Sequence, residues 1–442
     1  MPRNDALKGN KVLRYRWYIF AVLLAAYFLV YLHRVVDSSV AKPIVEGVGV
    51  ADVTGSMVIL ASVYLYAYLA MQIPSGLMTD RIGPRKITCA FLMLAALGTF
   101  LTSYADSFAM VVMGKILIAC GMAVVYIPLT KILAVWFRKK DFATLNGSII
   151  AVGNVGAIAA GAPIAFLVDS MGWRDLFFLI GVITMILALL CLIIVRNRPS
   201  EIGEKEILDM YPEDRQMHET YDKVPLKSGM VTVVKSGRAF WMPATSYLLV
   251  YGTIMAFQGL WVIYYFKDIY GFANAAFLMS MIGVGKIISA AMAGTVAKKV
   301  GSKRTVMFSA CLGYLTVWGV IWLLAGEMHV FSFWLCINFM FGFFSGFMVL
   351  AFAQAKEWFP VSISGTVISM VNVMIFSGGA VFTAVTGLIL SNDRFLSEYR
   401  ILWGLMFFAV VLACILLYLS KDNDTGSVRP VHDPNTEREK TA

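Results

Sequence analysis

Long apolar stretches separated by short polar gaps dominate the pattern along the chain. Twelve such runs can be recognised, and each is close to the ~20 residues that a helix needs to cross the hydrocarbon core of a membrane. The pattern therefore predicts an all-α integral membrane protein with twelve transmembrane helices, numbered 1 to 12 here, over residues 17–41, 56–78, 86–104, 107–137, 146–168, 175–196, 239–266, 274–297, 304–325, 330–359, 364–390 and 400–420.

Three polar segments lie outside these runs and divide the chain into two sets of six helices. The central one reads as a solvated linker with room for one short surface helix. The division predicts a cytoplasmic N-terminus (1–16), an N-terminal six-helix bundle (17–196), a cytoplasmic linker (197–238), a C-terminal six-helix bundle (239–420) and a cytoplasmic tail (421–442).

The composition excludes most other classes of protein. Of 442 residues, 59% are hydrophobic and only 14% charged, against roughly 25% charged in soluble proteins, and the mean hydropathy is +0.75. These values argue against a soluble enzyme, a disordered scaffold, a disulfide-rich secreted protein and a nucleic-acid binder. All six cysteines lie inside apolar runs without metal-ligand spacing, so we expect buried thiols, no metal and no cofactor.

The net charge of +10 comes from basic residues that cluster in alternate short loops. The loop after helix 4, for example, carries Arg138, Lys139 and Lys140, whereas the loops 43–55 and 105–106 contain no Lys or Arg. By the positive-inside rule, both termini are expected to be cytoplasmic. The organisation is similar to that of bacterial permeases, so we expect an inner or plasma membrane.

The two halves carry matching landmarks in the same order. Gly76–Lys86, which reads GLMTDRIGPRK, follows helix 2, and Gly294–Arg304, which reads GTVAKKVGSKR, follows helix 8. Trp136-Phe137 ends helix 4, and Trp358-Phe359 ends helix 10. These matches predict a duplicated six-helix unit, a known transporter architecture.

The first of these loops resembles GxxxDRxGxRK, the signature between helices 2 and 3 of the major facilitator superfamily. Together with the twelve helices and the central linker, the resemblance covers the whole chain and implies two pseudo-symmetric six-helix bundles. It also implies that the loop latches the helix layers in the outward-open state, although its basic residues could serve topology alone. Because Lys298 replaces the acidic residue in the second copy, a weaker latch is expected there. The latch residues are Gly76, Asp80, Arg81, Gly83, Arg85 and Lys86.

Within the superfamily, the chain is similar to the organic-anion and organophosphate (sugar-phosphate) permeases. The similarity rests on Tyr31-Leu-His33-Arg34 in helix 1, on the sequence MQIPSG at 71–76, and on MGWRD at 171–175 after helix 5. It implies a small anionic substrate without choosing between a carboxylate and an organophosphate.

An ionisable residue at membrane depth is costly and so marks a functional-site hypothesis. Arg34 lies near the middle of helix 1 and shares a face with Tyr27, Tyr31 and Ser38. The related permeases place a substrate-binding arginine here, and a guanidinium can hold a carboxylate or phosphate through two hydrogen bonds. We therefore expect Arg34 and Tyr31 to bind substrate; the alternative for Arg34 is a structural pair with Asp37.

Three lysines also lie in apolar runs. Lys286 is too deep in helix 8 to reach either surface, which predicts a second anion contact or, alternatively, a structural hydrogen bond. Lys115 and Lys131 in helix 4 face nearly opposite sides, so only one can line a central cavity, and we expect it to be Lys115. Such an excess of positive charge favours an anion and argues against a cation exporter.

His33 and Asp37 are candidates for proton coupling. A histidine can titrate near neutral pH, and Asp37 lies one turn away, where it could orient the ring. Some proton-coupled anion permeases carry an acidic residue where His33 stands and another near Met122, and this chain carries neither. The alternative for His33 is a role in helix packing.

Helix 7 carries the clearest polar and aromatic stripe, and the repeat places Gln258 opposite Arg34. We expect Gln258 and Trp261 to line the cavity, where an amide can donate and accept hydrogen bonds and an indole can pack against a ligand; the alternative is aromatic packing between helices. Asn338 and Asn372 are lesser candidates, and Tyr64 and Tyr68 read as packing. The stripe comprises Tyr247, Tyr251, Ile254, Gln258, Trp261 and Tyr265.

Together these features predict a secondary active transporter that moves a small organic anion by alternating access. Proton symport or anion exchange would drive it, since the chain has no GxxxxGK[ST] motif for ATP and no catalytic constellation. The alternatives are a drug or metabolite exporter of the same superfamily, or a transporter-like sensor that signals to a partner. We expect a monomer whose partners are the substrate, a proton or counter-anion, and the lipid bilayer, with no nucleic acid.

Overall fold

A computed structural model describes residues 2–211, 226–357, 359 and 363–420. Within these residues every regular element is a helix. The predicted tail, the middle of the linker, Trp358 and the side chain of Asp80 lie outside the described residues.

Eleven of the described helices are long and apolar enough to cross a membrane. The predicted twelve crossings are nevertheless present, because the helix Ala162–Ile194 contains the end of helix 5 and the whole of helix 6. Its Gly172 has φ 83° and ψ 161°, a left-handed backbone that breaks the helix and that glycine adopts readily. The part before Gly172 continues the shorter helix Lys139–Ala159 as helix 5, and the part after it is helix 6.

The N-terminal bundle contains helices 1 to 6. Helices 1, 2 and 4 are each interrupted once, at Val36, Met71 and Val124-Val125 respectively. The bounds are Pro2–Val35 and Asp37–Gly47 (helix 1), Val53–Ala70 and Gln72–Ile82 (helix 2), Pro84–Ser103 (helix 3), Phe108–Ala123 and Tyr126–Trp136 (helix 4), followed by Lys139–Ala159 and Ala162–Ile194.

The C-terminal bundle repeats this arrangement, and the linker contributes a 3-10 turn, Pro199–Ile202, and two short helices, Ile207–Met210 and Leu226–Lys235. Helix 7 is interrupted by a π-helical turn and helix 10 by a 3-10 turn. The bounds are Arg238–Ala256, Phe257–Trp261 and Val262–Tyr270 (helix 7), Ala275–Val300 (helix 8), Lys303–Leu323 (helix 9), Phe331–Gly346, Phe347–Val349 and Leu350–Glu357 (helix 10), Ser364–Ile389 (helix 11) and Leu396–Leu419 (helix 12).

The surface of the bundles is strongly apolar. Phe166, Leu323 and Leu388 are 71%, 70% and 86% exposed, which would be unfavourable in water but is expected where lipid chains surround the helices. The two bundles meet along helix 2 with helix 11, helix 5 with helix 8, and helix 1 with helix 7. A multi-pass membrane protein of two six-helix bundles, as predicted, is therefore confirmed.

Candidate functional site

A cavity of about 440 Å³ lies between the two bundles. It lies where the helices are interrupted: Val35, Gln72 and Tyr126 adjoin the breaks of helices 1, 2 and 4, and Gln258 and Val349 lie in those of helices 7 and 10. Irregular backbone at membrane depth is tolerated where it lines a cavity, and substrate sites near the midplane are commonly built from broken helices.

Arg34 provides the positive charge on the N-terminal side of this cavity. Its guanidinium Nη2 donates a hydrogen bond to the Tyr68 hydroxyl (3.1 Å), and its carbon Cζ lies 4.4 Å and 5.0 Å from the ring centres of Tyr31 and Phe376. Its buried Nε has no hydrogen-bond partner. The aromatic rings thus hold the guanidinium in place while leaving an N–H free for an anion.

Lys286 provides the positive charge on the C-terminal side. Its amine donates a hydrogen bond to Oε1 of Gln258, so the amide nitrogen Nε2 of Gln258 is directed away from the lysine. That nitrogen is buried and has no hydrogen-bond partner, and both residues line the cavity. This side therefore also combines a cation with an unused N–H donor.

No acidic residue appears among the described residues that line the cavity. The remaining polar groups are hydroxyls and amides, including Tyr27, Asn146, Asn154 and Asn372. The cavity therefore has an excess of positive charge, which attracts anions.

The predicted residues Arg34, Tyr31, Gln258 and Lys286 are brought together in this cavity, and so is Asn372. Arg34 does not pair with Asp37, the alternative considered for it. Lys115, Trp261 and Asn338 do not line the cavity. Each of these three is fully buried elsewhere, for a different physical reason.

Lys115 is turned toward helix 1 instead of the cavity. Its amine bonds to the carboxylate of Asp37, and the two side chains are 1% and 3% exposed. A buried lysine requires such a partner because an unpaired charge in this environment is very costly. Lys131 lies at the other end of helix 4, where it donates to the backbone oxygen of Thr79 (3.3 Å).

His33 lies one turn before Asp37 and is 1% exposed. Neither of its ring nitrogens has a hydrogen-bond partner in the described structure, and Lys115 lies within electrostatic range. The carboxylate of Asp37 is therefore engaged by Lys115, and not by His33 as the sequence had indicated.

The π-helical turn Phe257–Trp261 explains why the helix 7 stripe is only partly in the cavity. Tyr251, Ile254 and Gln258 line it, but a π-turn contains more residues than an α-turn, so the last residue of the turn, Trp261, faces a different side from the one an α-helix would give it. Trp261 consequently packs against Tyr264 and Tyr399.

Asn338 serves helix packing. Its amide nitrogen donates to the backbone oxygen of Trp334 in the same helix (2.9 Å), and the side chain is fully buried. This bond stays within helix 10, so the buried amide contributes to the packing of that helix and does not line the cavity.

The lining residues that were not predicted include Tyr68 and a stripe on helix 5. Tyr68 was read as packing, yet its hydroxyl accepts a hydrogen bond from Arg34. On helix 5, Phe142, Asn146, Ile150 and Asn154 line the cavity. Their spacing of four is a helical stripe with two asparagines, and this pattern was available in the sequence.

The cavity is closed on the side of the molecule that contains the loops 48–52 and 390–395, here called the loop side. There the backbone N–H of Ala162 donates to Ser280 Oγ (3.1 Å), and that of Thr54 donates to Asn392 Oδ1 (2.9 Å). The Tyr264 hydroxyl bridges the bundles by donating to the backbone oxygen of Asp37 (3.2 Å). From this closure the lining extends along helices 5 and 10 to Phe142 and Phe352.

Arg394 completes the closure. It pairs with Asp268 (Nε to Oδ2, 2.6 Å) and donates to the Thr54 hydroxyl of the other bundle (3.3 Å). Burial lowers the pKa of Arg394, but its hydrogen bond and ion pair with Asp268 raise it more, so the guanidinium stays charged. Arg394 also has φ 47°, an uncommon backbone for a non-glycine residue that persists where surroundings fix it.

The loops between helices 2 and 3 and between helices 8 and 9 hold equivalent contacts on the opposite side. Gly83 and Gly301 both have positive φ, 90° and 79°. Arg85 donates to the backbone oxygen of Leu192 at the end of helix 6 (2.9 and 2.6 Å), and Arg304 donates to that of Leu417 at the end of helix 12 (3.1 Å). Each arginine therefore joins the third helix of a bundle to the sixth.

Curated relatives of the chain are transporters. Over 187 residues it is 26% identical to the probable sulfoacetate transporter SauU of Cupriavidus necator, covering 42% of this chain and 43% of that protein. Over 149 residues it is 28% identical to the probable galactarate/D-glucarate transporter GarP of Escherichia coli, covering 32% and 33%. These matches span less than half the length of either relative. A probable hexose phosphate transport protein of Chlamydia trachomatis is 23% identical over 82% of this chain and 80% of that protein.

Solved structures agree on the fold. A bacterial homolog of the human lysosomal transporter Spinster matches with a TM-score of 0.70 at 15% identity, over 92% of this chain and 96% of that one. The D-xylose-proton symporter matches with a TM-score of 0.70 at 12% identity, over 92% and 98%. The family model of the Major Facilitator Superfamily matches residues 15–344 and 255–441. The chain therefore belongs to the Major Facilitator Superfamily and is related to its organic-anion and organophosphate permeases.

Proposed function

We propose that this protein is a secondary active transporter of a small organic anion, with Arg34 as its principal substrate-binding residue. One observation carries the proposal. The cavity between the bundles contains two cationic side chains, Arg34 and Lys286, and none of its described lining residues is acidic. An anion can neutralise this charge, whereas a cation would add to it.

The relatives support the same substrate class. Those named for sulfoacetate, for galactarate or D-glucarate, and for hexose phosphate are named for molecules that all carry an acidic group. The chain matches only part of the first two, so the class of substrate extends to this protein as a proposal.

The closure at the loop side gives the transport cycle a starting state. With both termini cytoplasmic, as the loop charges predict, the loop side is external and the described state faces the cytoplasm. Rocking of the bundles would break the contacts of Thr54, Tyr264 and Arg394 and open the site to the other side. The loop 76–86, with Asp80 as its acidic residue, would then latch the outward-open state.

Helix 1 supplies the coupling residues in this proposal. His33 is buried without a hydrogen-bond partner, and Asp37 is held by Lys115, so a proton arriving here would meet one free acceptor. The two sources of energy predict different behaviour in proteoliposomes. Proton symport predicts that anion uptake collapses with the proton gradient and that His33→Gln makes anion uptake independent of that gradient. Exchange predicts that anion uptake depends on an anion inside the proteoliposomes.

The proposal is tested with purified Arg34→Gln and, as a matched control, Arg238→Gln, because Arg238 is exposed at the start of helix 7. A thermal-shift screen of organic carboxylates and organophosphates should find ligands that raise the melting temperature of the wild type by mass action. We expect the control to retain this shift and the flux into proteoliposomes, and Arg34→Gln to lose both. If neutral or cationic ligands stabilise wild type and Arg34→Gln equally, the proposal is wrong.

A further inference from the structure

The two cations of the cavity belong to different bundles and are not neutralised by the protein. Arg34 lies on helix 1 and Lys286 on helix 8, and within the described chain their side-chain hydrogen-bond partners are the Tyr68 hydroxyl and the Gln258 amide oxygen, both neutral. The buried Lys115, in contrast, forms an ion pair with the carboxylate of Asp37. The protein thus pairs the cation outside the cavity and leaves both cations inside it without a counter-charge.

Within the part of the chain that the structure describes, each cavity cation is accompanied by a buried N–H donor that has no hydrogen-bond partner. On the N-terminal side this is Nε of Arg34 itself, and on the C-terminal side it is Nε2 of Gln258, a side chain that is only 2% exposed. A buried donor without an acceptor is costly, and such groups in native structures call for an explanation. Two donor sets, one on each bundle, correspond to two anionic groups on one ligand.

From this arrangement we infer that the substrate is a dianion, with two separate acidic ends or one doubly charged end. Lys286 and Gln258 then bind its second negative charge. This inference rests on the proposed anion transport and narrows it. A monoanion bound at Arg34 would leave the Lys286 ammonium without a counter-charge at membrane depth, which is unfavourable. A dianion neutralises both, and its contact with both bundles links binding to their relative movement.

The size of the cavity agrees with such a ligand. A volume of about 440 Å³ falls within the range of small-molecule pockets. Because Arg34 and Lys286 line the same cavity, a compact molecule can contact both.

The test uses pairs of compounds that differ by one unit of charge at nearly constant size. They are succinate with succinamate, sulfoacetate with sulfoacetamide, and glycerol 3-phosphate with its methyl phosphodiester. Dissociation constants are measured for purified wild type, Lys286→Gln and Lys286→Arg. Lys205→Gln is the control, since Lys205 is exposed in the linker. Melting temperatures without ligand verify that each variant is folded.

We expect the dianion of at least one pair to bind wild type about tenfold to a hundredfold more tightly than its monoanion, as for a charge-assisted hydrogen bond. Lys286→Gln should bring this ratio close to one, and Lys286→Arg and the control should preserve it. If monoanions bind as tightly as dianions in an Arg34-dependent way, or if Lys286→Gln leaves the ratio unchanged, this inference is wrong while anion transport stands. If no anion of any pair binds wild type, the proposed function fails and the inference fails with it.

Discussion

Lys115 on helix 4 and Asp37 on helix 1 form an ion pair inside the N-terminal bundle, with both side chains almost completely buried. Removing one member of a buried pair leaves the other as an uncompensated charge, which costs about 3–5 kcal/mol of unfolding free energy. We therefore expect Lys115→Met to lower the melting temperature of the purified protein strongly, and Lys115→Met with Asp37→Asn to recover part of the loss.

The control for this prediction is Lys42→Met. Lys42 and Glu46 form an exposed pair (3.8 Å) on the same helix as Asp37, and exposed pairs contribute only about 0–1 kcal/mol. A double variant that is no more stable than Lys115→Met would contradict the role of the pair.

The contact between helices 5 and 8 should tolerate no added side chain. A Cβ at Gly283 would lie 2.4 Å from Cγ1 of Ile158 in the other bundle, whereas a Cβ at Gly294 on the same helix would meet nothing within 4 Å. Gly283→Ala should therefore hinder closure of the loop side and reduce anion flux into proteoliposomes well below that of Gly294→Ala. Equal flux in the two variants would show that this contact does not limit transport.

Arg394 should hold the loop side closed, because it links Asp268 to Thr54 across the bundles. Its removal should favour the state open at the loop side. This can be measured as faster labelling of a cysteine at Ser345, which lines the cavity, by an impermeant maleimide added from the loop side to a cysteine-free background protein. Arg400→Ala is the matched control, since the partners of Arg400 within the described chain are Ala325 and Glu327 of its own bundle. Unchanged labelling in Arg394→Ala would refute the prediction.

The Tyr68 hydroxyl should position Arg34. Tyr68→Phe removes the acceptor of the Arg34 hydrogen bond (3.1 Å) and keeps the ring, so we expect anion affinity to fall about twofold to tenfold, the range for one hydrogen bond. Tyr64→Phe is the control, because the Tyr64 hydroxyl has no hydrogen-bond partner and does not line the cavity. Calorimetric titration distinguishes the two, and equal affinity in both variants would exclude the positioning role.

The sequence predicted the helices well, because a membrane crossing is a property of a whole apolar run. It did not predict their interruptions at Val36, Met71 and Phe257–Trp261. Val36 and Met71 are as apolar as the helices around them, and Gln258 and Gly259 of the π-turn are two residues inside a long apolar run, so mean hydropathy does not reveal the change of backbone. The interruptions in turn decide which residues line the cavity: Gln258 does, whereas Trp261, the last residue of the π-turn, does not.

A site residue could be predicted from the sequence where one helix contains the information, but not where a distant partner decides its position. Arg34 and Tyr31 share a short stretch of one helix, where the helical period alone fixes which side chains point together. Lys115 depended on a partner 78 positions away along the chain, and no local pattern contains that information. The asparagines of helix 5, Asn146 and Asn154, are eight residues apart, and this spacing alone places them on one face of a helix.

The arginines that join the third and sixth helices of each bundle have a consequence for how the two copies could diverge. Arg85 and Arg304 each tie down the carboxyl end of the last helix of their half, although the second copy has Lys298 where the first has Asp80. The bracing arginine is the tenth residue of the first motif copy and the eleventh of the second, so the two copies make the same contact from neighbouring positions in the first turn of the third helix. The brace thus depends on where the guanidinium reaches and not on one fixed position of the motif, and mutational tolerance should be lower at the two arginines than at Asp80 and Lys298.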